Sequence, residues 1–230
     1  MNRPLDRVAV ALDTDDWSQF QEWCDRFGPR VGVLKVGLQA FVRFGPEAVK
    51  KAAATGADVF LDLKLHDIPN TVAGAVAAAR TLGVAWITVH TEGGRRMLEA
   101  ATVVAGGAMG VLGVTVLTHL QEHDLEDLGC REDIEERVLG RARLARASGC
   151  AGVVCSPREL ARLRSSFPEP FLLATPGIRP RGASRDDQRR VATPTEARDA
   201  GADLLVIGRP LTRSSDSEAT LRTLERDLRI

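Results

Sequence analysis

The stretch "ATGADVFLDLK", Ala54 to Lys64, ends a helical run at a glycine and enters an apolar run that finishes on charged residues. Three further stretches repeat the helical run, the glycine and the apolar run: "TLGVAWITVH" (Thr81–His90), "ASGCAGVVCS" (Ala147–Ser156) and "DAGADLLVIGR" (Asp199–Arg209). Gly56, Gly83, Gly149 and Gly201 suit the left-handed position that closes a helix. The strands after them are nearly all apolar, as strands covered on both faces must be. Extended outward, the pattern predicts eight strands, at roughly 7–13, 31–37, 58–64, 84–90, 110–117, 151–155, 171–175 and 203–207. Helical periodicity fills the gaps, at about 15–27, 46–55, 70–82, 94–105, 132–148, 157–166, 194–200 and 216–228. Pro46, Pro69, Pro157 and Pro194 sit at helix starts, where a missing N–H costs little. Strict β/α alternation implies a parallel sheet. Eight such units in 230 residues fit a closed (β/α)8 TIM barrel, one domain over residues 1–230, with a doubly wound open sheet as the alternative.

Composition excludes several classes. The chain is 44% apolar and 27% charged, as in ordinary globular proteins. Lysine plus arginine equals aspartate plus glutamate, 31 each, so no net basicity points to nucleic acid. The start, "MNRPLDRVAVALD", lacks the apolar core of a signal peptide. The long uncharged run that includes Ala101–Thr118 is broken by four glycines and does not read as a membrane span. Cys24, Cys130, Cys150 and Cys155 show no CxxC pairing, so neither a zinc site nor a disulfide framework is expected, and a reducing cytoplasm is the default.

The quoted strand continues as "LKLHDIPNT". Val59, Leu61, Leu63 and Leu65 occupy one face, while Asp62 and Lys64 share the other. In a TIM barrel the active site forms at the C-terminal strand ends. The polar residues expected there are Asp13, Lys35, Asp62, Lys64, Asp67, His90, Thr118 and His119, followed by "TPGIRP" and "IGRPLT". Each has an ordinary reading. A strand lysine can be an ion-pair partner, His66 and His90 read first as satisfied interior histidines, and Arg179 and Arg209 suit a surface equally well. The combination is costlier to explain away, because buried charges are expensive unless paired. Glycines and one arginine at each of the last two strand ends suit a phosphate. The expected ligand is a phosphorylated small molecule with its reacting end near Asp62 and Lys64.

The string "DLKLHDIPNTV", with "VALD" and "LKVG" before it and "TVLT", "TPGIRP", "DDQRRV" and "IGRPLT" after it, resembles the orotidine 5′-monophosphate decarboxylase family from Asp13 to about Arg213. The resemblance implies decarboxylation of orotidine monophosphate to uridine monophosphate in pyrimidine synthesis. It implies no cofactor or metal, and a homodimer with active sites at its interface. On this resemblance Lys64 matches the lysine that protonates the carbon losing carbon dioxide. Asp62 matches the acid beside the departing carboxylate. Asp67 matches an acid donated by the neighbouring subunit, with Ile68 and Thr71 beside it. Lys35 completes the charge row, and Lys35 and Asp13 match ribose contacts. Thr118 matches the pyrimidine-reading hydroxyl. Pro176, Gln188, Gly208 and Arg209 match base-packing and phosphate contacts, and Arg179 sits in the matching mobile-loop region. Two departures stand out: Thr91 in "VHTEGG", where the family often has alanine, and His119 in "LTHL", where serine is common.

The implied chemistry suits these residues. Loss of carbon dioxide leaves an electron pair in an sp² orbital with no π-system to receive it, so fixed charge must stabilise it. An ammonium at hydrogen-bond range does so and can then donate its proton. The DxKxxD core alone is shared with metal-dependent sugar-phosphate decarboxylases and synthases of the same superfamily. "DIPNT" and Gln188 separate this chain from those relatives. A non-catalytic phosphate-binding barrel is the remaining alternative, and it predicts a broken charge row.

Overall fold

Strands with no polar face need cover on both sides, and a ring of parallel strands provides it with side chains inside and helices outside. The computed structural model describes residues 5–130, 133–180 and 191–228. Its strands are β1 (Val8–Ala11), β2 (Val33–Gly37), β3 (Asp58–Leu65), β4 (Trp86–His90), β5 (Gly110–Val114), β6 (Gly152–Val154), β7 (Leu172–Thr175) and β8 (Leu204–Ile207). All pair in parallel and in chain order, and β8 returns to β1 through Val8↔Leu205, which closes the barrel. The helices are α1 (Trp17–Phe27), α2 (Leu38–Phe44), α3 (Pro46–Ala53), α4 (Pro69–Arg80), α5 (Gly94–Ala105), α6 (Glu122–Asp127), α7 (Ile134–Ala147), α8 (Leu160–Ser166), α9 (Pro194–Asp199), α10 (Arg209–Thr212) and α11 (Ser217–Leu228).

Strand alternation divides the core in two. Val33, Phe60, Leu112, Leu204 and Val206 fill the barrel interior with Trp86 and Leu172. Leu34, Leu61, Ile87, Val89, Leu173 and Ile207 face outward and pack beneath the helices. Gly56, Gly83, Gly149 and Gly201 take φ of +80°, +70°, +82° and +98°, the left-handed geometry read from the sequence. Pro46, Pro69, Pro157 and Pro194 each stand in the first turn of a helix, a 3-10 turn in the case of Pro157.

The differences are local. The helix expected from 132 starts at Ile134, because Asp133 caps it: its carboxylate accepts the Glu136 N–H at 2.8 Å. Three short helices, α2, α6 and α10, lie where none was expected. The fifth strand ends at Val114 rather than 117. His66 is exposed rather than interior, and its ring stacks on His90 at 5.4 Å between centroids. All four cysteines are free, and burial pushes the Cys24 and Cys150 thiols up to about 12. Among the described residues no helix is long and apolar enough to cross a membrane.

β3 is irregular where it matters most. Leu61 pairs with Ile87 and Leu65 pairs with Val89, so Asp62, Leu63 and Lys64 oppose Thr88 alone. This bulge bends the strand at its charged residues. Lys64 sits at φ +50°, the one positive φ among the described non-glycine residues. That conformation costs an L-residue about 1–2 kcal/mol.

Candidate active site

The barrel mouth opens into a cavity of about 460 Å³. One side holds an alternating row of charge. Lys35, buried in the middle of β2, donates to Asp13 Oδ1 at 3.3 Å and lies 3.5 Å from Asp62 Oδ2. Lys64 donates from Nζ to Asp62 Oδ1 at 2.8 Å. The fully buried Thr88 donates from its hydroxyl to the same oxygen at 3.0 Å. The order is therefore Asp13, Lys35, Asp62, Lys64.

Both central groups are charged against the pull of burial. Burial alone would lower the Lys35 pKa, but the carboxylates of Asp62 and then Asp13 outweigh it and hold it above the ordinary lysine value. Burial would raise the Asp62 pKa, but Lys35 and Lys64, with hydrogen bonds from Lys64 and Thr88, hold it below the ordinary carboxylate value. Asp13 is about half exposed, with 51% of its side-chain surface open, so solvent screens its share. The Lys35–Asp62–Lys64 core is the electrostatically strong part.

Gly37 is needed for this packing. A Cβ there would lie 2.5 Å from Asp13 Oδ1 and 2.9 Å from Lys35 Nζ. The "LKVG" glycine is thus a floor over which the first ion pair is laid.

The opposite side is built by the ends of β7 and β8. Pro176, Gly177, Arg179, Gly208 and Arg209 line the cavity there, with Thr212 and Arg213 from the turn beyond. Arg179 is buried, and its guanidinium donates to the Ile178 carbonyl at 3.0 Å. Its backbone N–H donates to the Ala192 carbonyl at 2.9 Å, and Ile178 bridges to Ala192. Gln188 and residues 181–187 of the expected loop lie outside the described residues.

Of the residues singled out from the sequence, Asp13, Lys35, Asp62, Lys64, Thr118, Pro176, Arg179, Gly208 and Arg209 meet at this cavity. Thr118 lies in the turn after β5 rather than at its end. Asp67, Ile68 and Thr71 do not line the cavity; all three are exposed, and Asp67 Oδ1 accepts the Ile68 N–H at 2.6 Å. His119 is exposed and does not line the cavity. Thr91 is buried and donates to the Val114 carbonyl at 2.7 Å, bracing the end of β5. Thr88 was missed. Its signal was a hydroxyl on the same side of β4 as Trp86, next to the charged face of β3.

His90 is held below the ordinary histidine value by burial first and then by His66. Its Nδ1 accepts the Glu92 N–H at 3.3 Å, as a neutral imidazole does. Among the described residues no group of three or more His, Cys, Asp or Glu is placed to hold a metal ion.

The cavity thus offers lysines next to Asp62 at one end and arginines with two glycines at the other. A model of the orotidine 5′-phosphate decarboxylase / HUMPS family matches residues 6–224. The chain belongs to this family. It is 47% identical over 222 residues to an orotidine 5′-phosphate decarboxylase of Anaeromyxobacter sp. (strain K), covering 96% of this chain and 98% of that one. It is also 47% identical over 233 residues to an orotidine 5′-phosphate decarboxylase of Shewanella sediminis, covering 100% and 98%. The crystal structure of orotidine 5′-phosphate decarboxylase from Lactobacillus acidophilus superposes with a TM-score of 0.85 at 35% identity, over all of both chains. Within the family, then, the resemblance extends to full length and to the barrel as a whole.

Proposed function

We propose that this chain decarboxylates orotidine 5′-monophosphate to uridine 5′-monophosphate in pyrimidine biosynthesis, in the cytoplasm, as a homodimer. The observation that carries the reading is the Lys64 ammonium, held 2.8 Å from Asp62 in a cavity whose far end carries Arg179 and Arg209. Full-length relatives at 47% identity bear the decarboxylase name, which favours this activity over the sugar-phosphate branch of the family.

The substrate phosphate binds Arg209, Arg179 and the Gly208 N–H, with Gln188 adding a contact. The ribose meets Asp13 and Lys35. The pyrimidine packs on Pro176 and is read by Thr118. This sets the carboxylate against Asp62 and C6 against Lys64. The C6–carboxylate bond breaks, its electron pair stays on C6, and carbon dioxide leaves. Lys64 stabilises that pair and gives its proton to C6, then recovers one from solvent. Two unit charges about 4 Å apart interact by about 4 kcal/mol at an effective dielectric near 20, so a pre-set ammonium contributes a sizeable part of the barrier reduction. Asp62 also repels the substrate carboxylate until it departs. Asp67, with Ile68 and Thr71, serves the partner's site. Its exposure outside its own cavity supports that role.

The test is the ultraviolet absorbance of orotidine monophosphate incubated with purified protein and EDTA. Conversion to uridine monophosphate undiminished by the chelator is expected. No conversion, or conversion of a hexulose phosphate that stops on chelation, would overturn the proposal.

A further inference from the structure

Lys64 holds a conformation that its own residue type resists, so something outside it must fix that geometry. Its backbone N–H, offset by the bulge, donates to the Thr88 hydroxyl at 2.8 Å. The same hydroxyl donates to Asp62 Oδ1 at 3.0 Å, and that oxygen accepts Lys64 Nζ at 2.8 Å. The hydrogen bonds form a closed ring that passes through both ends of Lys64. Thr88 is 0% exposed, and it is the single β4 residue opposite the three-residue bulge. A hydroxyl has one proton to donate and lone pairs to accept with, so it can satisfy an N–H and a carboxylate at once. Neither a carbonyl nor an aliphatic side chain can do both.

We propose that Thr88 is a positioning residue for the decarboxylation. It holds the left-handed backbone of Lys64 and the orientation of Asp62, so that the ammonium stands where the carbanion forms. The inference rests on the decarboxylase reading. Thr88 touches no substrate in this scheme. Removing its hydroxyl leaves the Lys64 N–H without its partner beside the largely enclosed Asp62 carboxylate, and the bulge then relaxes. A shift of about 1 Å in a reacting group costs on the order of a hundredfold in rate.

The experiment compares Thr88→Val, which keeps the shape, with Thr88→Ala, which cannot overpack, and Thr88→Ser, which keeps the hydroxyl. The expected result is a fall in kcat of about 10²-fold in the valine and alanine variants. KM and uridine monophosphate affinity should stay near wild type, and serine should restore most of the rate. The Lys64 amide should exchange with solvent at least about tenfold faster in the valine or alanine variant, while the Val89 amide stays protected. If valine fails to fold, alanine is read in its place. A kcat within about threefold of wild type in the hydroxyl-free variants, or an equal loss in Thr88→Ser, would overturn the proposal. If wild-type protein does not decarboxylate orotidine monophosphate, the functional reading falls and amide exchange alone decides: unchanged Lys64 protection without the hydroxyl refutes the positioning role.

Discussion

Lys64 is valuable because of what surrounds it. An ammonium free in solvent would be screened and mobile, whereas this one is tied to Asp62 within a row that is charged before any ligand enters. Lys64→Ala should lower kcat by more than about 10³-fold, since it removes both the charge and the proposed proton donor. Its circular dichroism should match wild type. Turnover within tenfold would place the proton donor elsewhere. The Lys35 pKa tests the row from the other side. Asp62 is the larger of the two charges that raise it against burial. Lys35 therefore stabilises the fold in full below its ordinary value of about 10.4, and that contribution is lost as pH rises through the higher folded value. Asp62 contributes in full above about 3.9 and loses its contribution as pH falls through its lowered folded value. Across neutral pH both are charged. In Asp62→Asn the burial effect should win more ground, and the Lys35 side chain, followed by carbon-13 NMR, should titrate at lower pH than in wild type. Gly37→Ala makes a third case. Its Cβ would press on Asp13 and Lys35, whose side chains can move aside, so stability should change little while kcat falls. An unchanged kcat would show that the first ion pair tolerates displacement.

At the level of elements, much was legible because it repeats. Glycine at φ > 0, then an apolar strand, is a local signal, and proline at a helix start is another. The β3 bulge left no trace, because two extra residues preserve a period of two. Asp62 and Lys64 therefore shared a face on paper and in the barrel, although the strand between them is bent. α2 escaped notice because it buries only Ala40 and turns Leu38 and Val42 outward, which blurs any amphipathic stripe. α10 is a single turn after β8, yet its placement aims Arg209 at the cavity. Arg209→Ala should weaken uridine monophosphate binding by at least about tenfold, the scale of one charged hydrogen bond, and leave uridine binding unchanged. Calorimetry with both ligands separates the outcomes. Equal affinities for the variant and wild type toward the monophosphate would remove the phosphate from this end of the barrel.

At the scale of the whole molecule, the proposed chemistry draws on a second copy of the chain. β2 and β3 are neighbours, and their outlets carry Leu38 and Ile68, 52% and 67% exposed. The second subunit of the proposed dimer would cover both. Asp67, next to Ile68 in the chain, is exposed and lies outside its own cavity. In the proposed dimer it completes the row of the partner, so Asp67→Ala and Lys64→Ala proteins should each be nearly inactive alone. Mixed under conditions that let subunits exchange, they should regain activity. One site of each mixed dimer collects both defects, while the other keeps an intact Lys64 and an intact Asp67. Random pairing makes about half of the dimers mixed, each with one working site of two, so recovery should approach about a quarter of wild-type activity under two-fold symmetry. Exchange is verified by mass spectrometry of differently tagged subunits. Exchange without recovery would mean that Asp67 acts within its own chain, and the shared site would have to be abandoned even if the dimer itself stood.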